Sequence, residues 1–138
     1  IFIENREALV KDLSAEGRKR KKVLVLTEPL CDLTTRKQIF TDIVNTYKWF
    51  GEEEGCVIMK PHPRDVLAYE KLFPENIVLD GKFPMEILNF VDGLYFDRVV
   101  TVFTVPDAIL FAGEKIFLGE DFMDKYEAPE IHRQNEQI

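Results

Sequence analysis

The stretch KVLVLTEPL, residues 22–30, decides the fold of this chain. Its residues 23–26 are all valine or leucine, and uncharged or acidic polar residues appear only from Thr27 onward. A continuous apolar run of this length is typical of a strand that is buried on both faces, whereas a strand with one wet face alternates apolar and polar residues. The stretch therefore predicts an inner strand of a parallel sheet.

Four further short apolar runs follow, and the segments between them have helical spacing. The runs predict strands at 56–60, 76–80, 98–104 and 115–119. The intervening segments predict helices at 34–51, 64–73, 84–91 and 106–113, the first with Thr34 as N-cap and with Ile39, Ile43, Tyr47 and Phe50 as its apolar stripe. Regular alternation of strand and helix predicts an α/β fold, a Rossmann-like, doubly wound parallel sheet of about five strands with helices on both faces.

The chain divides into three segments by composition. Residues 1–21 contain a predicted helix (4–16) and a basic linker, residues 22–120 form the predicted Rossmann-like domain, and residues 121–138 form a predicted helical tail. A chain of 138 residues is long enough for one domain with a real core. Because it begins with isoleucine, we expect it to be part of a longer protein.

Net charge and cysteine content narrow the class of protein. The formal net charge of −7 argues against general nucleic-acid binding. The two cysteines form neither a disulfide framework nor a zinc site, which favours a reducing compartment. No apolar stretch approaches the roughly 18 residues that a membrane-spanning helix needs.

The predicted strand ends carry the candidate functional residues, because ligands of open α/β sheets bind at the carboxyl ends of the strands. These positions lack a glycine-rich dinucleotide fingerprint, a phosphate loop, a metal cluster and a nucleophile elbow. What remains suits an anionic ligand. Thr104 supplies a hydroxyl and, by prediction, free backbone N–H groups at a helix N-terminus.

His62 is the most specific of these residues. It lies between Pro61 and Pro63, which restrict the backbone around the ring, and Lys60 and Arg64 flank it with positive charge. A preset imidazole suits a phosphate contact or a general acid. Each candidate also has a structural interpretation. His62 would belong to a rigid turn and Thr104 would be a helix cap. Asp32 would be a loop acid or form an Asx turn, and Glu86 would be an acid in the first turn of a helix.

Several segments together resemble glycosyltransferase family 52, the bacterial lipooligosaccharide sialyltransferases and their relatives. They are VLVLTEPLCD (23–32), VIMKPHPRD (57–65), YEKLF (69–73) and KFPMEIL (82–88), and the Lys-Pro-His-Pro-Arg segment is the most specific. The resemblance covers roughly residues 22–119. It implies a GT-B enzyme with two Rossmann-like domains, of which this chain is the second, and it implies CMP-sialic acid as donor and a galactose-ended glycan as acceptor.

The resemblance also implies roles for individual residues. His62 would contact the CMP phosphate and act as acid toward the leaving group, with Thr104 binding the same phosphate and Pro63 shaping the turn. Asp32 would be the base that activates the acceptor, with Asp42 as the weaker choice. The remaining substrate-binding candidates are Lys60, Arg64, Thr101 and Glu86, the last toward the cytidine or ribose.

No divalent metal or other cofactor is required by these residues. The resemblance implies an enzyme of the bacterial cytoplasm that is peripheral to the inner face of the inner membrane, and the family tends to form homodimers.

Two features depart from the family pattern. Thr104 is followed by Val105, so the second hydroxyl of the family motif is missing. EEEG, residues 52–55, fits the letters of a bacterial sialyltransferase motif, but we interpret it as a helix end with Gly55 as C-cap. Two alternatives remain: another cytidine-nucleotide-dependent transferase, such as a polysialyl or polyol-phosphate transferase, or a non-catalytic flavodoxin-like binding module.

Overall fold

The computed structural model describes residues 21–82, 95–104, 109–110 and 112–127. In chain order, these residues form β1 (Lys22–Leu26), α1 (Leu33–Tyr47), β2 (Trp49–Phe50), β3 (Glu53–Glu54), β4 (Cys56–Lys60), α2 (Tyr69–Leu72), β5 (Ile77–Val78), β6 (Phe96–Thr101), β7 (Ala112–Phe117) and α3 (Gly119–Met123). Helix α1 lies between β1 and β4, and helix α2 lies between β4 and β5, as the sequence predicts. The predicted helices at 4–16 and 84–91 lie outside the described residues.

Five strands form one sheet in the order β5-β4-β1-β6-β7, and every neighbouring pair is parallel. β1 stands at the centre, pairing with β4 on one side and with β6 on the other. This arrangement confirms the predicted α/β, Rossmann-like fold. From β1 the chain proceeds outward to β4 and β5, then returns to place β6 on the opposite side of β1. The direction of winding therefore reverses between β1 and β6, and a ligand crevice is expected at such a switch point.

The burial of β1 explains its unbroken apolar run. Val23 and Val25 pack with residues of α1 on one face of the sheet, while Leu24 packs with Ile58 and Val99 on the other. Each of these five side chains is at most 1% exposed. Helices α1, α2 and α3 all contribute to the first of these two clusters.

The segment after α1 differs from the prediction. The helix ends at Tyr47 rather than at residue 51, and β2 and β3 then form a two-stranded antiparallel hairpin around Gly51, whose φ is +64°. Gly55 is therefore not a helix cap. It is buried behind the hairpin, where a Cβ atom would come within 2.7 Å of the Phe50 ring. The N-cap of α1 is Asp32 rather than Thr34.

Four other predicted elements have different boundaries in the structure. The helix predicted for 64–73 is reduced to α2, and Val66, within the predicted helix, is 80% exposed. The strand predicted for 98–104 ends at Thr101, and the one predicted for 22–30 ends at Leu26. Ala112 and Gly113 begin β7 instead of ending a helix. Across the described ranges, no helix has the length and apolar character needed to cross a bilayer.

Candidate functional site

The carboxyl ends of three strands, β1, β4 and β6, lie at the switch point. Thr27 and Glu28 follow β1, His62 is the second residue after β4, and residues 102–104 follow β6. The Thr27 N–H donates to the Lys60 carbonyl at 3.2 Å, which ties the end of β1 to the end of β4. The parallel sheet therefore gathers residues that are far apart in the chain at a single edge.

His62 is held in a defined orientation by two hydrogen bonds. Its backbone N–H donates to Thr27 Oγ1 at 3.2 Å, and its ring Nδ1 accepts from the Arg64 backbone N–H at 3.0 Å. An Nδ1 atom that accepts a hydrogen bond carries a lone pair, so a neutral ring has its proton on Nε2. His62 therefore presents Nε2–H as a donor.

Asp65 is the centre of the network behind His62. Its side chain is 0% exposed and forms an ion pair with Arg36, from Oδ1 to Nη1, at 3.0 Å. Oδ1 also accepts from the Leu67 N–H at 3.1 Å, and Oδ2 accepts from the hydroxyls of Thr27 and Tyr69 at 2.9 and 2.5 Å. Four donors thus converge on one buried carboxylate, as a buried charge requires.

The network links α1 to the loop that carries His62. The Arg36 guanidinium also donates to the carbonyls of Leu30 and Cys31, at 2.8 and 3.0 Å. The Thr27 hydroxyl donates to Asp65 and accepts from the His62 N–H, so it connects the buried ion pair to the histidine backbone.

The sequence predicts no role for Asp65, which lies in the resembling segment, or for Thr27, which ends the first apolar run, and it does not point to Arg36. The position of Thr27 directly after β1 was a usable signal, because strand-end residues were the ones to inspect. Arg36 offered none, since it is flanked by Thr35 and Lys37 on a helix whose other polar residues are mostly exposed.

Glu28 occupies the anion site that the sequence predicts at Thr104. Its Oε2 accepts from the backbone N–H groups of Val102, Phe103 and Thr104 at 3.0, 3.0 and 3.3 Å, and its Oε1 lies 3.3 Å from the Phe103 nitrogen. We call these three N–H groups the N–H cradle. The predicted free N–H groups at Thr104 are therefore not free, and Glu28, which is 8% exposed, is their acceptor.

Two other predicted substrate-binding residues are buried. Thr101 is 0% exposed, and its hydroxyl lies 3.5 Å from the Ile116 carbonyl of the neighbouring strand, so it does not reach a ligand at the edge. Lys60 is 2% exposed, and its ammonium group donates to the Pro61 carbonyl. A direct contact between Lys60 and a ligand would require the lysine side chain to move.

Asp32, the predicted base, caps α1. Its Oδ1 accepts from the Thr35 N–H at 2.7 Å, and this hydrogen bond is the main cause that lowers the pKa of the Asp32 carboxyl. A lowered pKa makes a weaker proton acceptor, which does not favour the role of general base. Asp42, the weaker choice, accepts from Gln38 and from the Tyr126 hydroxyl. Glu86 lies outside the described residues.

A cleft of about 460 Å³ opens beside His62, between the ends of β4 and β5. Its apolar wall includes Leu67, Val78 and Leu79, and its polar lining includes His62, Glu70, Asp80 and Lys82. The Asp80 side chain accepts from the Lys82 N–H at 2.8 Å, which shapes the turn after β5. An apolar wall with a few placed polar groups is typical of a small-molecule site.

In the part of the chain that the structure describes, no three histidine, cysteine, aspartate or glutamate side chains are arranged to hold a metal ion. Pro63 and Arg64 are exposed next to His62, so both are accessible to a ligand at this edge.

Comparison with known proteins gives one relative. A Haemophilus influenzae protein, described only as an uncharacterized protein, is 30% identical over 98 residues, which is 67% of this chain and 30% of the relative. The chain thus spans about 30% of the length of that relative. No protein-family model matches the chain. No solved structure matches it either.

Proposed function

We propose that this chain is the donor-binding domain of a bacterial glycosyltransferase similar to family 52, and that it binds CMP-sialic acid or a related cytidine nucleotide-sugar at the carboxyl edge of its sheet. The observation that carries the proposal is the His62 ring, whose Nδ1 is held by the Arg64 N–H so that Nε2–H is left as a donor beside the cleft. A fixed donor at a strand end is what a bound phosphate requires.

The cleft gives the nucleoside a place next to the phosphate. With the phosphate at His62, the base and ribose extend over the apolar wall toward the turn after β5. The carboxylates of Glu70 and Asp80 are suited to accept hydrogen bonds from ribose hydroxyls, and Lys82 adds a positive charge. A volume of about 460 Å³ lies within the range of small-molecule sites.

The reaction proposed is an inverting displacement at the anomeric carbon of the donor sugar. A hydroxyl oxygen of the acceptor glycan bonds to that carbon and its proton is released to solvent, while the bond to the CMP phosphate oxygen breaks and the phosphate keeps the electron pair. The Nε2–H of His62 stabilises the charge that develops on the phosphate. In this role the ring donates a hydrogen bond, whereas the family resemblance implies proton delivery to the leaving group.

The contribution of His62 is large in this mechanism. Loss of one oriented donor to a developing oxyanion costs about 10²–10³-fold in turnover. The acceptor is a lipooligosaccharide or related surface glycan, and its binding needs the other half of a GT-B cleft. The complete reaction therefore belongs to a longer protein. In this proposal, that protein works at the cytoplasmic face of the bacterial inner membrane.

A nucleotide titration of this chain tests the proposal. We expect CMP to shift the backbone amide NMR signals of His62, Arg64 and residues 80–82, and we expect UMP and AMP at equal concentration to shift them less. Equal responses to the three nucleotides, or none to any, would contradict a cytidine-nucleotide site.

Two substitutions of His62 separate the roles of its nitrogens. An asparagine amide ends near the position of Nδ1, so His62→Asn retains an acceptor for the Arg64 N–H but removes the Nε2 donor. A glutamine amide reaches the position of Nε2 and restores a donor there. We expect both variants to melt close to the wild type, with weak CMP binding in the first and partial recovery in the second. Wild-type CMP affinity in His62→Asn would reduce His62 to a structural turn.

A further inference from the structure

Glu28 is a buried acid that the proposed reaction does not use. Its carboxylate receives three consecutive backbone N–H groups from residues 74 to 76 positions later in the chain, at the opposite side of the switch point from His62. Successive backbone N–H groups that point at one spot are a common way in which proteins bind phosphate. Here the protein supplies the anion itself.

The position of this carboxylate bears on the ligand. β1 separates β4 from β6, and neighbouring strands are about 4.8 Å apart, so the ends of β4 and β6 are separated by roughly 10 Å. Glu28 follows β1, between the two, and its carboxylate is held at the β6 side of the crevice by the N–H groups of residues 102–104. Because the cradle donors already bind the carboxylate, they are not available to neutralise an added phosphate.

We infer that Glu28 is a resident anion in the N–H cradle, and that it restricts the site to ligands with a single phosphate next to the nucleoside. A monophosphate-linked sugar is satisfied by His62 alone. A diphosphate-linked sugar brings a second charged group into the crevice, where it meets the Glu28 carboxylate without free N–H donors. The choice of donor class rests on the proposed function, whereas the occupancy of the cradle does not.

Two variants separate the charge of Glu28 from its shape. Glu28→Gln retains an oxygen acceptor for the cradle but removes the negative charge. Glu28→Ala leaves the three N–H groups without their acceptor. Glu114→Ala is the matched control, since it also removes one carboxylate, but from a half-exposed ion pair with Arg98 on β6 and β7.

The first measurement compares CMP with CDP binding by calorimetry. We expect the wild type and Glu114→Ala to prefer CMP. We expect Glu28→Gln to bind CDP at least about tenfold more tightly than the wild type, because a like charge in a partly buried site is removed, while CMP affinity changes by less than about threefold. The same ratio of CMP to CDP affinity in the wild type and in Glu28→Gln would overturn the specificity role.

The second measurement needs no nucleotide. Formate and inorganic phosphate should raise the melting temperature of Glu28→Ala, relative to chloride at the same ionic strength, and should have no such effect on the wild type or on Glu114→Ala. Absence of anion-specific stabilisation in a folded Glu28→Ala would overturn the cradle as an anion site. If Glu28→Ala does not fold, the ratio of CMP to CDP affinity measured with Glu28→Gln still tests whether Glu28 sets the preference for one phosphate. If the wild type binds neither nucleotide, the proposed function and the inferred specificity both fail, and the formate result alone decides the occupancy of the cradle.

Discussion

Replacing Asp65 with asparagine removes one charge from the middle of the network that holds the His62 loop. The Asp65 side chain is 0% exposed, and its partner Arg36 is 9% exposed in its side chain, so the ion pair at 3.0 Å lies inside the protein. Asparagine has nearly the same shape as aspartate and can still accept some of the four hydrogen bonds. What it cannot do is compensate the charge of the Arg36 guanidinium.

The expected cost follows from burial. Removal of one partner from a buried ion pair destabilises proteins by about 3–5 kcal/mol, because the remaining charge is left uncompensated away from water. Typical domains have a free energy of unfolding of about 5–15 kcal/mol, so Asp65→Asn should fold but with much of its stability lost.

Urea unfolding followed by far-UV circular dichroism measures this change. Glu114→Gln is the control, since Arg98 and Glu114 form an ion pair at 2.7 Å in which the glutamate side chain is 51% exposed. Exposed pairs contribute about 0–1 kcal/mol, so the control should unfold close to the wild type. The two pairs have similar geometry, and their difference in burial alone predicts the difference in cost.

A destabilisation of Asp65→Asn below about 1 kcal/mol, equal to that of the control, would refute the reasoning. It would mean that Arg36 finds another partner or water when Asp65 loses its charge. A double variant with Arg36→Gln separates these outcomes, because a coupled buried pair makes the two single costs larger in sum than the cost of the double variant.

Three further predictions concern titration and reactivity. Burial, followed by the hydrogen bond to Asp65, raises the pKa of Tyr69. The stability that the neutral Tyr69 hydroxyl contributes to the folded chain is fully present below the unfolded-state pKa of about 10 and is lost as the pH rises above that value. Tyr69→Phe should therefore lose less stability than the wild type between about pH 9 and pH 11. Burial raises the pKa of the Cys31 thiol to about 12. Iodoacetamide at pH 8 should therefore modify Cys31 more slowly than Cys56. Faster modification of Cys31 in the folded chain would contradict this prediction. Nitrogen NMR of His62 above neutral pH should show the proton on Nε2, and a proton on Nδ1 would contradict the orientation assigned to the ring.

The sheet was predictable because burial on both faces leaves its mark in the sequence. β1, β4 and β6 are inner strands, and each appears as an apolar run that no helix pattern explains. The hairpin β2–β3 was not predictable in the same way, because its residues continue the periodicity of α1. The Arg98 guanidinium, 49 to 51 residues later in the chain, donates hydrogen bonds to the carbonyls of Tyr47 and Trp49. These bonds stabilise the end of α1 at Tyr47.

The candidate site was predictable in location but not in connectivity. The rule that ligands bind at strand ends directed attention to Thr27, Glu28 and His62. It did not show that Glu28 binds backbone N–H groups 74 to 76 residues away, nor that Asp65 pairs with an arginine of α1. Local sequence patterns determine which residues reach an edge, whereas the partners that they find there are set by the order of strands in the sheet.

The central place of β1 has a consequence for the order in which the chain acquires structure during synthesis. β1 and β4 leave the ribosome within about 40 residues of each other, and together with β5 they can pair early. The other edge of β1 has to wait for β6, whose pairing residues lie 75 positions further along, as in Val23 with Arg98. Until then, an apolar strand edge and the Glu28 side chain stand open to other chains, a state prone to aggregation. Slower translation between residues 60 and 100 would prolong this state, and overproduction of the protein would raise the concentration of chains that share it.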